Sequence, residues 1–167
     1  MKKEINLNKD YFLSVGRMFE LRKLGIDTSN ASFVSTFKTE TGEFVIPDEK
    51  SRISYIGDIV TINRINTFQR FYLKHNNDID DEIINNCVDI YSISDLFGMI
   101  PNKINTAKCI MFLHITKSGL SYRSSDSKYS SETFYFDNGV ANALFKLLKF
   151  AITNSKDGKI QRKQEDG

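Results

Sequence analysis

On either side of Gly57-Asp58 polar and apolar positions alternate, through Arg52, Ile53, Ser54 and Tyr55 before it and Val60, Thr61, Ile62 and Asn63 after it. A period of two places successive side chains on opposite faces of a strand. A Gly-Asp pair between two such runs is the signal of a tight hairpin turn. The pattern therefore predicts a hairpin with Ile53 and Tyr55 beside Val60 and Ile62, and with Arg52, Ser54, Thr61 and Asn63 on the other face. Residues 31 to 48 carry a second pattern of this kind, with Thr41-Gly42 as the expected turn. That register puts Phe33, Phe37, Phe44 and Ile46 on one face and Val34, Lys38 and Val45 on the other, and Pro47 ends the pairing.

Other segments follow a helical period. Residues 8 to 25 read as a helix, with Asn8 or Asp10 as cap, Arg22 and Lys23 in the last turn and Gly25 as stop. Residues 66 to 76 carry both periods, and their aromatic spacing favours a helix with Phe68, Phe71 and Tyr72 inward. Ile79, Ile83, Cys87 and Tyr91 recur at helical spacing behind Asp78. Ser94 or Asp95 opens a short turn that Pro101 closes. The run from 108 to 126 predicts a strand, a turn at Ser118-Gly119 and a second strand, and residues 131 to 136 add another. Asp137 is the expected cap of a final helix with a stripe at Val140, Leu144, Leu147, Leu148 and Ala151. The expected fold is α+β: two N-terminal antiparallel hairpins and a C-terminal meander packed with three to four helices. Residues 1 to 153 are expected to form one domain. Residues 154 to 167 have almost no apolar side chain and are expected to form a flexible polar tail.

Composition narrows the classes. The chain has 167 residues, and its 13 Phe and 7 Tyr without a Trp predict an aromatic-rich core. A net charge of +2 implies no dominant electrostatic partner. The two cysteines, Cys87 and Cys109, lie in apolar surroundings and read as free thiols of a reducing cytoplasm. No apolar run reaches the roughly 20 residues of a membrane-spanning helix, and MKKEINLNKD is not followed by the apolar segment of a secretory signal. The abundance of Lys, Asn and Ile fits an AT-rich genome such as that of a phage or other mobile element.

His114 is the first candidate for chemistry. With Ser118-Gly119 as the turn, Thr116 opposes Ser121 and His114 opposes Arg123. An arginine fork, hydroxyl groups and an imidazole on one face could hold a phosphate and move a proton. His114-Ile115-Thr116 resembles the H-x-[ST] element of the two-histidine phosphoesterases, which implies half of a metal-independent phosphodiester site. That family carries two such elements on adjacent strands. The second histidine, His75, is followed by Asn76 and Asn77 and departs from the pattern, so the chain is not assigned to the family. Under this alternative His114, Thr116, Ser121 and Arg123 would be the catalytic set.

The second candidate is the basic and aromatic run around Arg64, Arg70, Phe71, Tyr72 and Lys74. Rings that stack on bases and cations that follow phosphates are the residue types of a single-strand binder. The acids at 78 to 82 do not form a calcium loop, because the sixth position is Ile83 and the twelfth Asp89. Two histidines and two cysteines without close spacing predict no metal site. No phosphate-binding glycine loop or dinucleotide fingerprint predicts a cofactor. The leading expectation is a small non-enzymatic binding protein whose partner is a protein or a single-stranded nucleic acid. The oligomeric state is not readable from the sequence.

Overall fold

A computed structural model describes residues 9–75 and 79–156. The expected α+β class is what it shows: antiparallel sheets of five and four strands, together with four α-helices. The chain gathers into two compact units, one holding Ser14–Tyr91 and the other Lys9–Leu13 with the residues from Ser92 onward.

In the first unit Ser14 caps helix α1 (Val15–Lys23), its hydroxyl accepting from the Arg17 amide. The helix is therefore shorter than the run from 8 to 25, and residues 9–11 form a separate 3-10 turn. It ends where Gly25 takes φ 93°, with the Gly25 amide bonded to the Arg22 carbonyl and the Ile26 amide to the Leu21 carbonyl. Those two bonds satisfy carbonyls that the helix end would otherwise leave open.

The first sheet contains β1 (Phe33–Lys38), β2 (Ile53–Ile56), β3 (Ile59–Ile62), β4 (Ile65–Leu73) and β5 (Val88–Ile90), in the order β2-β3-β4-β1-β5. The β2–β3 hairpin has the predicted register, with Ile53 opposite Ile62 and Tyr55 opposite Val60. Gly57 stands at φ 57°, the positive value that such a turn needs.

Three further features of this unit differ from the sequence reading. Residues 65 to 73 form a strand rather than a helix. A second tight turn at Asn63 and Arg64 (φ 50° and 71°) returns the chain antiparallel, and pairing with β3 and β1 on both sides overrides local propensity. Second, β1 pairs with β4 and β5, while the segment after Thr41-Gly42 contributes a single bridge from Phe44 to Lys38. That bridge puts Phe44 on the face of Lys38, and a one-residue slip of this kind exchanges the two faces. Third, the helix near 80 is the short α2 (Asp81–Asn85), capped by Asp80, whose carboxylate accepts from the Ile83 amide. The expected cap, Asp78, lies outside the described residues.

One face of this sheet is buried through Ser35, Phe37, Val60, Ile62 and Thr67. The hydroxyls there are satisfied: Ser35 donates to the Arg70 carbonyl at 2.8 Å and Thr67 to the Val60 carbonyl at 2.7 Å.

In the second unit Ser92 and Asp95 form a reciprocal capping box for α3 (Ile93–Met99). The second sheet is β6 (Lys103–Asn105), β7 (Ile110–Ile115), β8 (Gly119–Ser124) and β9 (Phe134–Tyr135), in chain order. Helix α4 (Val140–Asn154) begins after Gly139, not at Asp137, which lies in a 3-10 turn. Leu144, Leu147, Leu148 and Ala151 of its predicted stripe are fully buried. Tyr122 of β8 stacks on Phe150 of α4, with ring centres 6.1 Å apart. The tail beyond Lys156 lies outside the described residues.

Candidate nucleic-acid interface

The strand conformation of β4 decides how its side chains are distributed. Phe68, Arg70 and Tyr72 fall on one face and Phe71 on the other. Cross-strand partners extend the first group into rows. Ile56 pairs with Ile59, Ile59 with Phe68 and Phe68 with Lys38, and Lys38 bridges to Phe44. The Lys38 ammonium lies 4.5 Å from the centre of the Phe44 ring. Arg70 pairs with Thr36, and Tyr72 with Val34. Ile56 and Phe68 are 72% and 45% exposed, and Arg70 is also exposed. Thr36 and Val34 on the same face are buried and Tyr72 is half-buried, so this face presents rings and cations to solvent around Ile56, Phe68 and Arg70.

Charge on this face is one-sided. The five strands contain a single carboxylate, Asp89, and the Lys74 ammonium sits 2.7 Å from it. Lys74 also donates to the Ser29 carbonyl at 2.6 Å, so its charge is committed within the fold. Arg64 is exposed at the turn between β3 and β4, in a left-handed conformation that glycine or asparagine adopts more easily than arginine. The structure thus brings Arg70, Tyr72 and Lys74 of the expected set to one face, leaves Arg64 at its edge and turns Phe71 away. The sequence reading of the interface lacked Lys38 and Phe44, because their adjacency depends on the register at the bridge.

Beside these strands lies an open cleft of about 940 Å³, lined by Phe19, Arg22, Ile46, Lys50, Cys87 and Asp89 among others. Burial, and secondarily the nearby Asp89 carboxylate, pushes the Cys87 thiol up. The Arg22 guanidinium lies over the Phe19 ring at 5.8 Å.

The other expected set lies in the second unit. His114 is opposite Ser121, not Arg123, and Arg123 is opposite Phe112. The partners are displaced by two residues because the turn is Lys117-Ser118, one residue earlier than Ser118-Gly119, with the Thr116 amide bonded to the Gly119 carbonyl at 2.9 Å. The Thr116 hydroxyl accepts from the Ser118 and Gly119 amides at 3.2 Å each and braces that turn. Thr116 is thereby a turn residue, Ser121 is buried, and His114 and Arg123 are exposed on the outer face of the sheet, one register step apart.

Among the described residues no group of three or more His, Cys, Asp or Glu could hold a metal ion. Among them no helix is long and apolar enough to cross a membrane. No family model matches the chain, and no curated protein or solved structure matches it.

Proposed function

We propose that the protein is a non-enzymatic binding protein for single-stranded nucleic acid, and that the open face of its first sheet is the contact surface. One observation carries the reading: β4 aligns the exposed Phe68 and Arg70 and the half-buried Tyr72 on a single face, and the next strand adds Lys38. Bases stack on exposed rings without regard to sequence, while cations between the rings follow the phosphates. A duplex offers its bases only at groove edges, whereas a single strand offers their faces. The strained Arg64 supports the reading, since a cation kept where glycine would be relaxed points to a role outside folding. The two cysteines, each partly buried and unpaired, support a reducing, cytoplasmic setting.

The test is fluorescence anisotropy with labelled single-stranded DNA and RNA at low salt. Phe68→Ala should weaken binding by about 1–3 kcal/mol, the contribution of one stacked base. Arg70→Ala should reduce the salt slope by about 0.7, the contribution of one phosphate contact on a single strand. A folded wild-type protein that retains neither nucleic acid at low salt overturns the reading.

A further inference from the structure

We propose that the outer face of the second sheet is a second, separate contact surface for single-stranded nucleic acid. The ligand class rests on the reading of the first sheet, but the surface stands on its own residues. Four rows cross it. Asn105 and Ile110 form one at its end, Lys103, Phe112 and Arg123 the next, His114 and the buried Ser121 the third, and the buried Gly119 and Tyr135 the last. Phe112 is 46% and Tyr135 56% exposed, unusually open for rings in the middle and at the edge of a sheet.

The rings are spaced for two bases rather than for one apolar patch. Phe112 and Tyr135 lie two strands apart across the sheet and four residues apart along it. From strand spacing and rise the separation is on the order of 16 Å. Two rings so far apart cannot shield each other, and together they cannot form the continuous apolar centre of a protein interface. Ile110, 50% exposed beside Phe112, adds one apolar side chain, and the rest of the face between and beside the rings offers polar groups and cations. Lys103 and Arg123 flank Phe112, and His114 occupies the row between the rings.

Charge selects the partner. None of the four strands contains an Asp or Glu. The carboxylate closest in sequence beyond β8 is Asp126, which is engaged by the Ser124 hydroxyl at 2.7 Å and the Lys128 amide at 3.1 Å. At the end of the sheet the Lys108 ammonium lies 5.9 Å from the Tyr129 ring centre, a further ring and cation pair. A polyanion carrying flat, stackable groups matches this surface. The inference also gives His114 a place: a side chain between two stacking rings, within reach of a base or phosphate, with no proton transfer required.

The experiment uses the full chain and labelled oligonucleotides of about 10 and 30 nucleotides, within and beyond the span expected of one such surface. Phe112→Ala and Tyr135→Ala should each weaken binding of the longer strand on the order of tenfold, while Tyr135→Phe, which keeps the ring, retains it. Circular dichroism and the thermal midpoint establish that each variant is folded. Loss of affinity in Phe68→Ala with none in folded Phe112→Ala or Tyr135→Ala overturns this inference and leaves the first surface standing. Loss only in the second pair upholds this surface and removes the first. Equal weakening by Tyr135→Ala and Tyr135→Phe would show that the ring does not stack, and overturns it as well. Absence of binding by the wild type overturns both.

Discussion

The hydroxyl of Tyr122 donates to the carbonyl of Pro101 at 2.7 Å, and the tyrosine is fully buried. Tyr122 lies in β8 and Pro101 follows α3, so one bond ties the sheet to the segment that leads into β6. Tyr122→Phe would keep the ring and its stacking on Phe150 but leave a buried carbonyl without this donor. An unpaired buried acceptor costs about 1–3 kcal/mol. Chemical denaturation should show a loss in that range; a loss below about half a kcal/mol would mean that the carbonyl finds another donor.

Thr36 presents the opposite case. It is fully buried, and its hydroxyl finds no hydrogen-bond partner among the described residues. Its chain neighbour Ser35, on the opposite face of the sheet, has one. Thr36→Val exchanges a hydroxyl for a methyl of similar shape and removes the desolvation cost. The variant should be more stable by about 1 kcal/mol. Destabilisation of that size would show that the hydroxyl is bonded.

Arg64 separates folding from binding. At φ 71° a side chain with a Cβ is strained by roughly 1–2 kcal/mol, and glycine is not. Arg64→Gly should stabilise the β3–β4 hairpin by about 1 kcal/mol, less the entropy that glycine adds to the unfolded chain. The same substitution should weaken single-strand binding and flatten its salt dependence. Denaturation and anisotropy on one sample should move in opposite directions.

Alkaline pH should unfold the protein early. Burial pushes Tyr55 up to about 12, partly opposed by the Val15 amide that donates to its oxygen. Burial also raises Tyr122 above its ordinary 10.0. The unfolded chain releases these protons near pH ~10. Each group held protonated in the fold contributes stability that is complete below that pH and is lost as pH rises through the folded value. The thermal midpoint should hold to about pH 9 and fall between about 10 and 12. Tyr122→Phe should fall less steeply over the same interval.

Legibility in the sequence followed the locality of the forces. Gly57-Asp58 fixed one register because a tight turn and period-two alternation act over a few residues. The run from 65 to 73 was ambiguous because its apolar side chains fall on both parities, and it became a strand only through partners on either side. The shift of the turn to Lys117-Ser118 was hidden because a hydroxyl bonding two amides leaves no Gly or Pro signature, whereas Ser118-Gly119 carries one. The same rule governed the interface. Arg70 and Tyr72 were legible as residue types, but their common face, and the place of Lys38 and Phe44 on it, existed only once β4 was extended and paired. His114 was legible as an exposed polar residue near a turn, whereas its partner was not.

The strand order of the first sheet also sets an order of events in time. The ribbon β2-β3-β4 joins neighbours through tight turns and can zip from the Gly57 end with little loop to close. β1 cannot, because Lys38 must find Phe68 and Phe33 must find Leu73. Closing a loop of that length has to be met before any of those contacts exists. The ribbon is thus the template and β1 the late arrival that joins it to β5. Val60→Ala and Ile62→Val in the ribbon should slow folding, whereas Phe37→Leu in β1 should act mainly on unfolding. Stopped-flow chevrons would resolve the two. Until β1 arrives, β4 is a bare edge carrying unpaired amides beside exposed rings, so the nascent chain is most prone to mispairing in that interval.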